Sequence, residues 1–261
     1  MYGEVLREYW MYRELFYFLA WRDVKVRYKQ TVLGIGWAII QPFLSMIVFT
    51  ILFGKLGKMP NDGIPYPVFY FAALLPWMYF STTLSTSSNS LVSNANLITK
   101  VYFPRMILPS SSAVSGLVDF SIGCVLLVGI LAYYQMSPGW GILLWPLMIM
   151  PLVVLALGVS MMLAALNVRY RDIKYTVPFF LQIWLFVTPV IYPSSMVPEK
   201  FRALMALNPL AGIIDTFRAS IVPEKPIDWQ LLTGSLLLTV VIFSAGCAYF
   251  RKTERSFADI V

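Results

Sequence analysis

Long apolar runs with almost no charge recur along this chain, and the short stretches between them gather the cations, prolines and polar residues. A helix needs about 20 predominantly apolar residues to cross the hydrocarbon core of a bilayer. Six segments reach that length, near residues 33–54, 66–92, 106–134, 140–166, 176–193 and 230–250. Only 13% of the 261 residues are charged, whereas a soluble domain carries about 25%. No strand-like alternation of the kind a membrane barrel needs runs through the segments. The fold class expected is therefore an all-α polytopic membrane protein with six transmembrane helices. The second run weakens toward its end, where STTLSTSSNSLVSNANL is rich in hydroxyl residues. Such residues suit helix–helix contacts or a wet cavity better than lipid. No cleavable signal is expected, because about thirty mixed charged and aromatic residues precede the first run.

LAALNVRYRDIKYTVPFF, residues 163–180, interrupts two runs with Arg169, Arg171, Asp172 and Lys174. Each charge at mid-bilayer costs about 2.5–3.5 kcal/mol, so this stretch is expected to be a short loop. With the N-terminus inside, the inside segments hold fourteen of the twenty Lys and Arg: six before residue 33, Lys100 and Arg105, three at 169–174 and three at 251–255. The outside loops hold Lys55, Lys58 and four in 194–229. Cations concentrate on the cytoplasmic side of membrane proteins, so both termini and the 169–174 loop are expected there. The net charge of +7 is spread between the runs and forms no soluble patch. It sets topology, and nucleic acid is not expected as a partner.

Three segments outside the runs carry further information. In residues 9–30, Tyr12, Leu15, Phe16 and Leu19 follow helical spacing, as do Arg22, Lys25 and Lys29 at the basic end. This predicts an amphipathic helix lying in the cytoplasmic interface, its cations facing anionic headgroups; the alternative is a plain helical extension of the first span. In SNANLITKVYFPRMILP, Asn94 is placed to cap a short helix through Lys100, with Pro104 closing it before the third span. An exposed Lys–Val–Tyr–Phe face there suits a docking knob or a plain connector. Beyond residue 198, two apolar helical patches, 201–207 and 210–221, are broken at Asn208–Pro209. Each is too short to span, so they form either a hairpin dipping into the outer leaflet or two surface helices.

The chemistry present is sparse. The chain has no histidine, which removes the commonest general base and metal ligand. Cys124 and Cys247 fall inside apolar runs and read as small buried hydrophobes, not a disulfide. Asp119 is the one carboxylate well inside a span. Such an acid is expected to face an interior or pair with a Lys or Arg, or to pack against hydroxyl residues such as Ser115 or the hydroxyl-rich second span, the favoured setting; a proton-coupling role is the functional alternative. ILFGKLGK lacks the spaced glycine and the Ser/Thr of a phosphate-binding loop. The chain is therefore not expected to be an enzyme, and with few intramembrane ionisable groups, uphill transport would draw on a separate ATPase.

WRDVKVRYKQTVLGIGWAIIQP, NANLITKVYFPRMILP, LNVRYRDIKY, TPVIYP and LNPLAGIIDTFR occur in this order along most of the chain. Together they resemble the membrane subunit of type-two ABC exporters, specifically the permeases that move O-antigen, teichoic acid or capsule chains. The resemblance implies a homodimer in the bacterial cytoplasmic (inner) membrane, two permeases joined to two ATPase subunits that bind ATP and magnesium, with no cofactor in this chain. It implies a lipid-linked glycan as substrate. It further implies that residues 94–105, with Asn94, Lys100, Tyr102, Phe103 and Arg105, form the coupling helix seated in the ATPase. The 169–174 loop would lie near that subunit or the interface helix. The hairpin 198–221, with Phe201, Arg202, Asn208, Pro209, Asp215 and Arg218, would form an outer gate.

A glycan pathway should offer aromatic surface beside small polar groups. Trp37, Gln41 and Ser45 in the first span, and Phe180, Trp184 and Thr188 in the fifth, fall at four-residue steps and so share one face of each helix. A channel is expected where these stripes from both copies meet; the alternative is that they fill helix contacts or face lipid. Competing readings are a type-two ABC permease for a drug or lipid, a membrane-embedded glycosyl- or acyltransferase, and an ion channel. The transferase lacks an acid/base or nucleophile cluster, and the channel lacks a filter motif.

Overall fold

A computed structural model describes residues 2–29, 34–137, 140–222, 226–254 and 257, with side chains from Arg7 onward except that of Trp140. Gln30 and Leu33, at the expected ends of the interface helix and first span, lie outside the described residues, as do the counted cations Lys225 and Arg255.

All regular structure among the described residues is helical. Helices α1 (Tyr2–Met11) and α2 (Arg13–Lys29) form nearly one rod, joined by hydrogen bonds from Tyr12 N to Glu8 O and from Phe16 N to Tyr12 O, each 3.0 Å. Gly34, with φ +51°, then breaks the path before α3 (Gly36–Phe49), so the N-terminal helix is not a plain extension of the first span. Its Tyr12, Leu15, Phe16 and Leu19 face turns toward the protein, packing in a cluster with Ile98, Phe103, Met106 and Phe250. Trp10, Tyr17, Phe18 and Trp21 are the aromatics it leaves exposed. The apolar face read from the spacing is thus a protein-facing face, and a second set of rings is free to meet lipid.

Four helical runs are long and apolar enough to cross a membrane: Gly36–Leu56, Ile107–Tyr133, Gly141–Arg169 and Trp229–Glu254. They comprise α3 with the wider turns Thr50–Leu56 that continue it, α6 (Ile107–Tyr133), α7 (Leu144–Arg169) with the turn before it, and α11 (Trp229–Glu254). The other two expected spans take different forms. Helix α4 (Tyr66–Ser93) has 28 residues, about 42 Å at 1.5 Å per residue. It is the central helix, packed against α3, α6, α7, α8 (Ile173–Val187) and α10 (Pro209–Ala219). Much of its Ser/Thr-rich half is buried and bonded within the protein: Ser87 Oγ donates to Pro109 O at 3.0 Å, and Asn167 Nδ2 donates to Ser88 O at 3.0 Å. Helix α8 runs Ile173–Val187, 15 residues, so the span expected at 176–193 starts earlier and stops six residues sooner. Thr188 is extended (ψ 141°) and Pro189 follows it, removing a donor the helix would need to continue.

Where α7 crosses α11 the backbones almost touch. A Cβ on Gly246 would stand 2.1 Å from Gly158 O, and one on Gly158 would stand 2.6 Å from Phe243 Cα. Small residues allow such approach, and in lipid, where no hydrophobic force draws helices together, close van der Waals contact supplies the attraction. The helices α9 (Glu199–Ala206) and α10 (Pro209–Ala219) form the expected pair, broken at Leu207–Asn208. They are not equivalent. Helix α9 lies at the surface with Phe201 and Arg202 exposed, while every residue of α10 is buried. Helix α10 is therefore inserted among α4, α7 and α11 and does not lie flat on the surface.

Candidate functional site

The end of the N-terminal helix meets α6 through charge. The Arg27 guanidinium pairs with the Asp119 carboxylate, and the Tyr28 hydroxyl donates to the other oxygen of that group. Of the settings expected for Asp119, this is the pairing with an Arg and not packing against Ser115. Ser115 instead donates to Ser112 O within its own helix. A carboxylate well inside a span requires a partner, and a helix from outside the span supplies it.

Beside this pair lies a cavity of ≈ 230 Å³ between α2, α3, α4 and α6. Trp37 and Gln41 line it from α3, Tyr79, Thr82 and Thr86 from α4, and Asp119 from α6. Trp37 is half exposed. Ser45, the third member of the α3 stripe, donates to Gln41 O within its helix and is not part of the lining. Spacing alone missed the α4 contribution, although Tyr79, Thr82 and Thr86 at steps of three and four form a stripe legible in YFSTTLST.

The α8 stripe is not brought to this cavity, because α4 stands between α3 and α8. Phe180 is exposed. Trp184 packs edge-on against Phe80 at 5.1 Å between centroids and donates from Nε1 to Asn208 Oδ1 at 3.1 Å. Thr188 is fully buried and accepts from Asn208 Nδ2 at 2.9 Å. Trp184 and Thr188 thus hold the hairpin junction, and Thr188 lacks the exposure of a free channel stripe. Asn208 also accepts from Leu210 N at 3.1 Å, capping α10, with Pro209 at the first helical position, where its missing N–H costs nothing.

Arg218 completes this junction. It is fully buried, with its guanidinium 3.8 Å from the Phe69 ring centroid. Nη2 donates to Pro189 O and Val190 O at 2.8 and 3.0 Å, and Nη1 to Tyr192 O at 3.4 Å. These carbonyls follow the C-terminal end of α8, where backbone oxygens lose their helical donors and a cation is favoured. Burial pulls the Arg218 pKa down to about 10, opposed by the charges of Asp215 and Asp62, so it stays protonated at neutral pH. Asp215 accepts from Ser194 Oγ at 2.7 Å. Of the hairpin residues, Asn208, Pro209, Asp215 and Arg218 are thus a buried structural knot, and Phe201 and Arg202 an exposed edge.

At the opposite end, α5 (Ala95–Lys100) follows α4 directly. Asn94 does not cap it with its side chain. The amide turns back, with Nδ2 donating to Ser90 O at 2.7 Å and Oδ1 accepting from Arg22 at 3.0 Å. The helix ends at Lys100 because Val101 is extended (ψ 132°), four residues before Pro104 can act. Tyr102 is 88% exposed but Phe103 only 3%. The expected Tyr–Phe pair of docking anchors is therefore split: Tyr102 projects, and Phe103 is core. Arg105 is also turned inward, its backbone N–H donating to Glu254 Oε1 at 2.8 Å and its guanidinium to Glu254 O. Exposed Lys100, Val101 and Tyr102 remain as the outward face.

Between α7 and α8 the connection is shorter than the loop expected at 169–174: only residues 170–172 are non-helical, and Arg169 and Lys174 belong to the helix ends. Arg169, Arg171, Asp172 and Lys174 are all exposed. Arg169 and Lys174 lie over the neighbouring rings of Tyr170 and Tyr175, at 5.5 and 4.7 Å. No ion pair joins Asp172 to these cations among the described residues; its carbonyl accepts from Tyr175 N and Thr176 N at the start of α8.

Residues 14–222 match the ABC-2 type transporter family. The chain is 32% identical over 261 residues to the O-antigen export system permease protein RfbA of Myxococcus xanthus, covering 98% of this chain and 99% of that protein. It is 32% identical over 250 residues to an O-antigen export system permease protein RfbA of Klebsiella pneumoniae, covering 92% of each. The polysialic acid transport protein KpsM of Escherichia coli is 20% identical over 245 residues, 90% of this chain and 92% of that protein.

Proposed function

The chain belongs to the ABC-2 type transporter family, and from that premise we propose that it is the membrane subunit of an ATP-driven exporter of a lipid-linked polysaccharide. The observation that carries this reading is likeness over nearly the whole length to O-antigen export permeases. An ABC ATPase is the partner that the family requires. It binds ATP and magnesium, and two copies of each subunit form the transporter.

All six helices α3, α4, α6, α7, α8 and α11 cross the bacterial cytoplasmic membrane in this reading, with both termini in the cytoplasm. The cation distribution supports that orientation. The coupling surface is the outward face of Lys100, Val101 and Tyr102, and Arg105 transmits its movement to the end of α11 through Glu254. The sugar pathway runs along exposed Trp37, Gln41 and Phe180, where ring faces offer area at low entropy cost.

Removing the gene from its host tests the reading. Surface polysaccharide should disappear while lipid-linked chains accumulate inside, and restoration should need both this chain and its ATPase. Unchanged surface glycan together with lost drug or lipid efflux would assign the chain to another substrate class.

A further inference from the structure

Helix α10 does more than cap the bundle. It is wedged between the N-terminal ends of α7 and α11, the two helices that nearly touch further along at Gly158 and Gly246. On one side α10 stacks Phe217 on Trp145, at 5.4 Å between centroids, and Ser220 accepts from Trp145 Nε1 at 2.8 Å. On the other, Gly212 lets α10 approach so closely that a Cβ there would stand 2.5 Å from Leu231 O, and Gly212 N donates to Ser235 Oγ at 3.0 Å. Two helices in contact at one level and held apart by a third at another must diverge. The space so opened is a groove of ≈ 420 Å³, with Leu147 and Met150 on the α7 wall, Leu236 and Val240 on the α11 wall, and Thr216 of α10 lining it between them.

We infer that this groove is a binding site for one acyl chain of a bilayer phospholipid. Both walls belong to runs apolar and long enough to cross a membrane, so the medium at this depth is hydrocarbon. Leu147, Met150 and Val240 are at least 60% exposed, so the groove opens away from the protein interior. An empty apolar space forfeits the dispersion contacts of its lining, and water has no partners there. Trp229, 63% exposed at the start of α11, stands at one end of the groove and suits the membrane–water boundary, where the headgroup of such a lipid would lie. The bound chain touches Thr216 and so packs against the helix that carries Arg218. This rests on α7 and α11 crossing the membrane, not on the exported substrate.

The test uses the full-length protein in nanodiscs of a phospholipid that carries a photoactivatable group in its acyl chain, with crosslinked peptides mapped by mass spectrometry. Crosslinks at Leu147, Met150 and Val240 should exceed by several fold those at Val125, which is 73% exposed on α6 outside the groove. Leu236→Trp, which fills the groove, should abolish that excess and leave Val125 unchanged. Val240→Phe serves the same purpose should Leu236→Trp fail to fold. Equal labelling of groove and Val125, or labelling indifferent to the filling variant, would overturn the inference. Competition by a soluble-chain isoprenyl phosphate at equimolar amounts would also overturn it, by giving the groove to the carrier lipid. Loss of polysaccharide export as the assigned activity would leave these crosslinks untouched, so the two proposals fail separately.

Discussion

Arg27 of the N-terminal helix and Asp119 of α6, 92 residues apart in sequence, form an ion pair beside the cavity that Trp37 and Gln41 line. Both side chains are about one-third exposed or less, so water screens the pair only partly. Asp119→Asn should lower stability by about 1.5–3 kcal/mol, the usual worth of a hydrogen bond to a charged group. Arg27→Gln added to it should cost less than the sum of the two single changes, since each single variant leaves a charge unpaired. Thermal unfolding of the four proteins in one detergent measures the coupling. Strict additivity would show that the pair contributes nothing.

Exposure separates two neighbouring aromatics at the coupling segment. Tyr102→Ala should weaken association with the ATPase and leave thermal stability within about 0.5 kcal/mol, as expected of an exposed position. Phe103→Ala should instead destabilise the chain by about 3–5 kcal/mol by opening a cavity among Leu19, Ile98 and Met106. Pull-down with the ATPase and melting curves, taken together, distinguish the two effects.

Helix propensity and close packing make opposite demands on two glycines. Ala is favoured over Gly in a helix by about 0.8–1.0 kcal/mol. At Gly129, where a Cβ meets nothing within 4 Å, Gly129→Ala should stabilise by roughly that amount. At Gly246 the same change drives a methyl into Gly158 O, and overpacking costs about 1–3 kcal/mol. Gly246→Ala should therefore melt lower than the parent protein and Gly129→Ala higher.

The buried Arg218 holds three carbonyls after the end of α8. Arg218→Met should cost about 3–5 kcal/mol, because Asp215 loses a compensating charge in a buried site. Arg218→Lys should recover only part of this, since a single ammonium cannot span the carbonyls as the planar fork does. Limited proteolysis between residues 188 and 198 would report the loosened segment, and equal resistance in all three proteins would exclude this role.

Tyr170, 52% exposed in the loop between α7 and α8, reports orientation. A cysteine placed there should react with an impermeant thiol reagent only after the cells are opened. Labelling in intact cells would reverse the proposed topology.

The membrane class and the helical fold were legible from the chain alone, because hydrocarbon penalises each charge and unpaired backbone group residue by residue. That the hairpin is broken next to Pro209 was legible for the same local reason, since proline cannot continue a helix, although the break itself falls at Leu207–Asn208, just before it. The family, too, was carried by motifs in linear order. Partners were another matter. That Asp119 meets Arg27, that Phe103 turns inward while Tyr102 projects, and that Arg218 reaches back to Pro189 depend on which helices become neighbours. The α8 stripe shows the limit most clearly. Four-residue spacing put Trp184 and Thr188 on one face, but whether that face meets a pathway or Asn208 was decided by the insertion of α10 into the bundle. Periodicity encodes which residues share a face; only the packed arrangement of helices decides what that face touches.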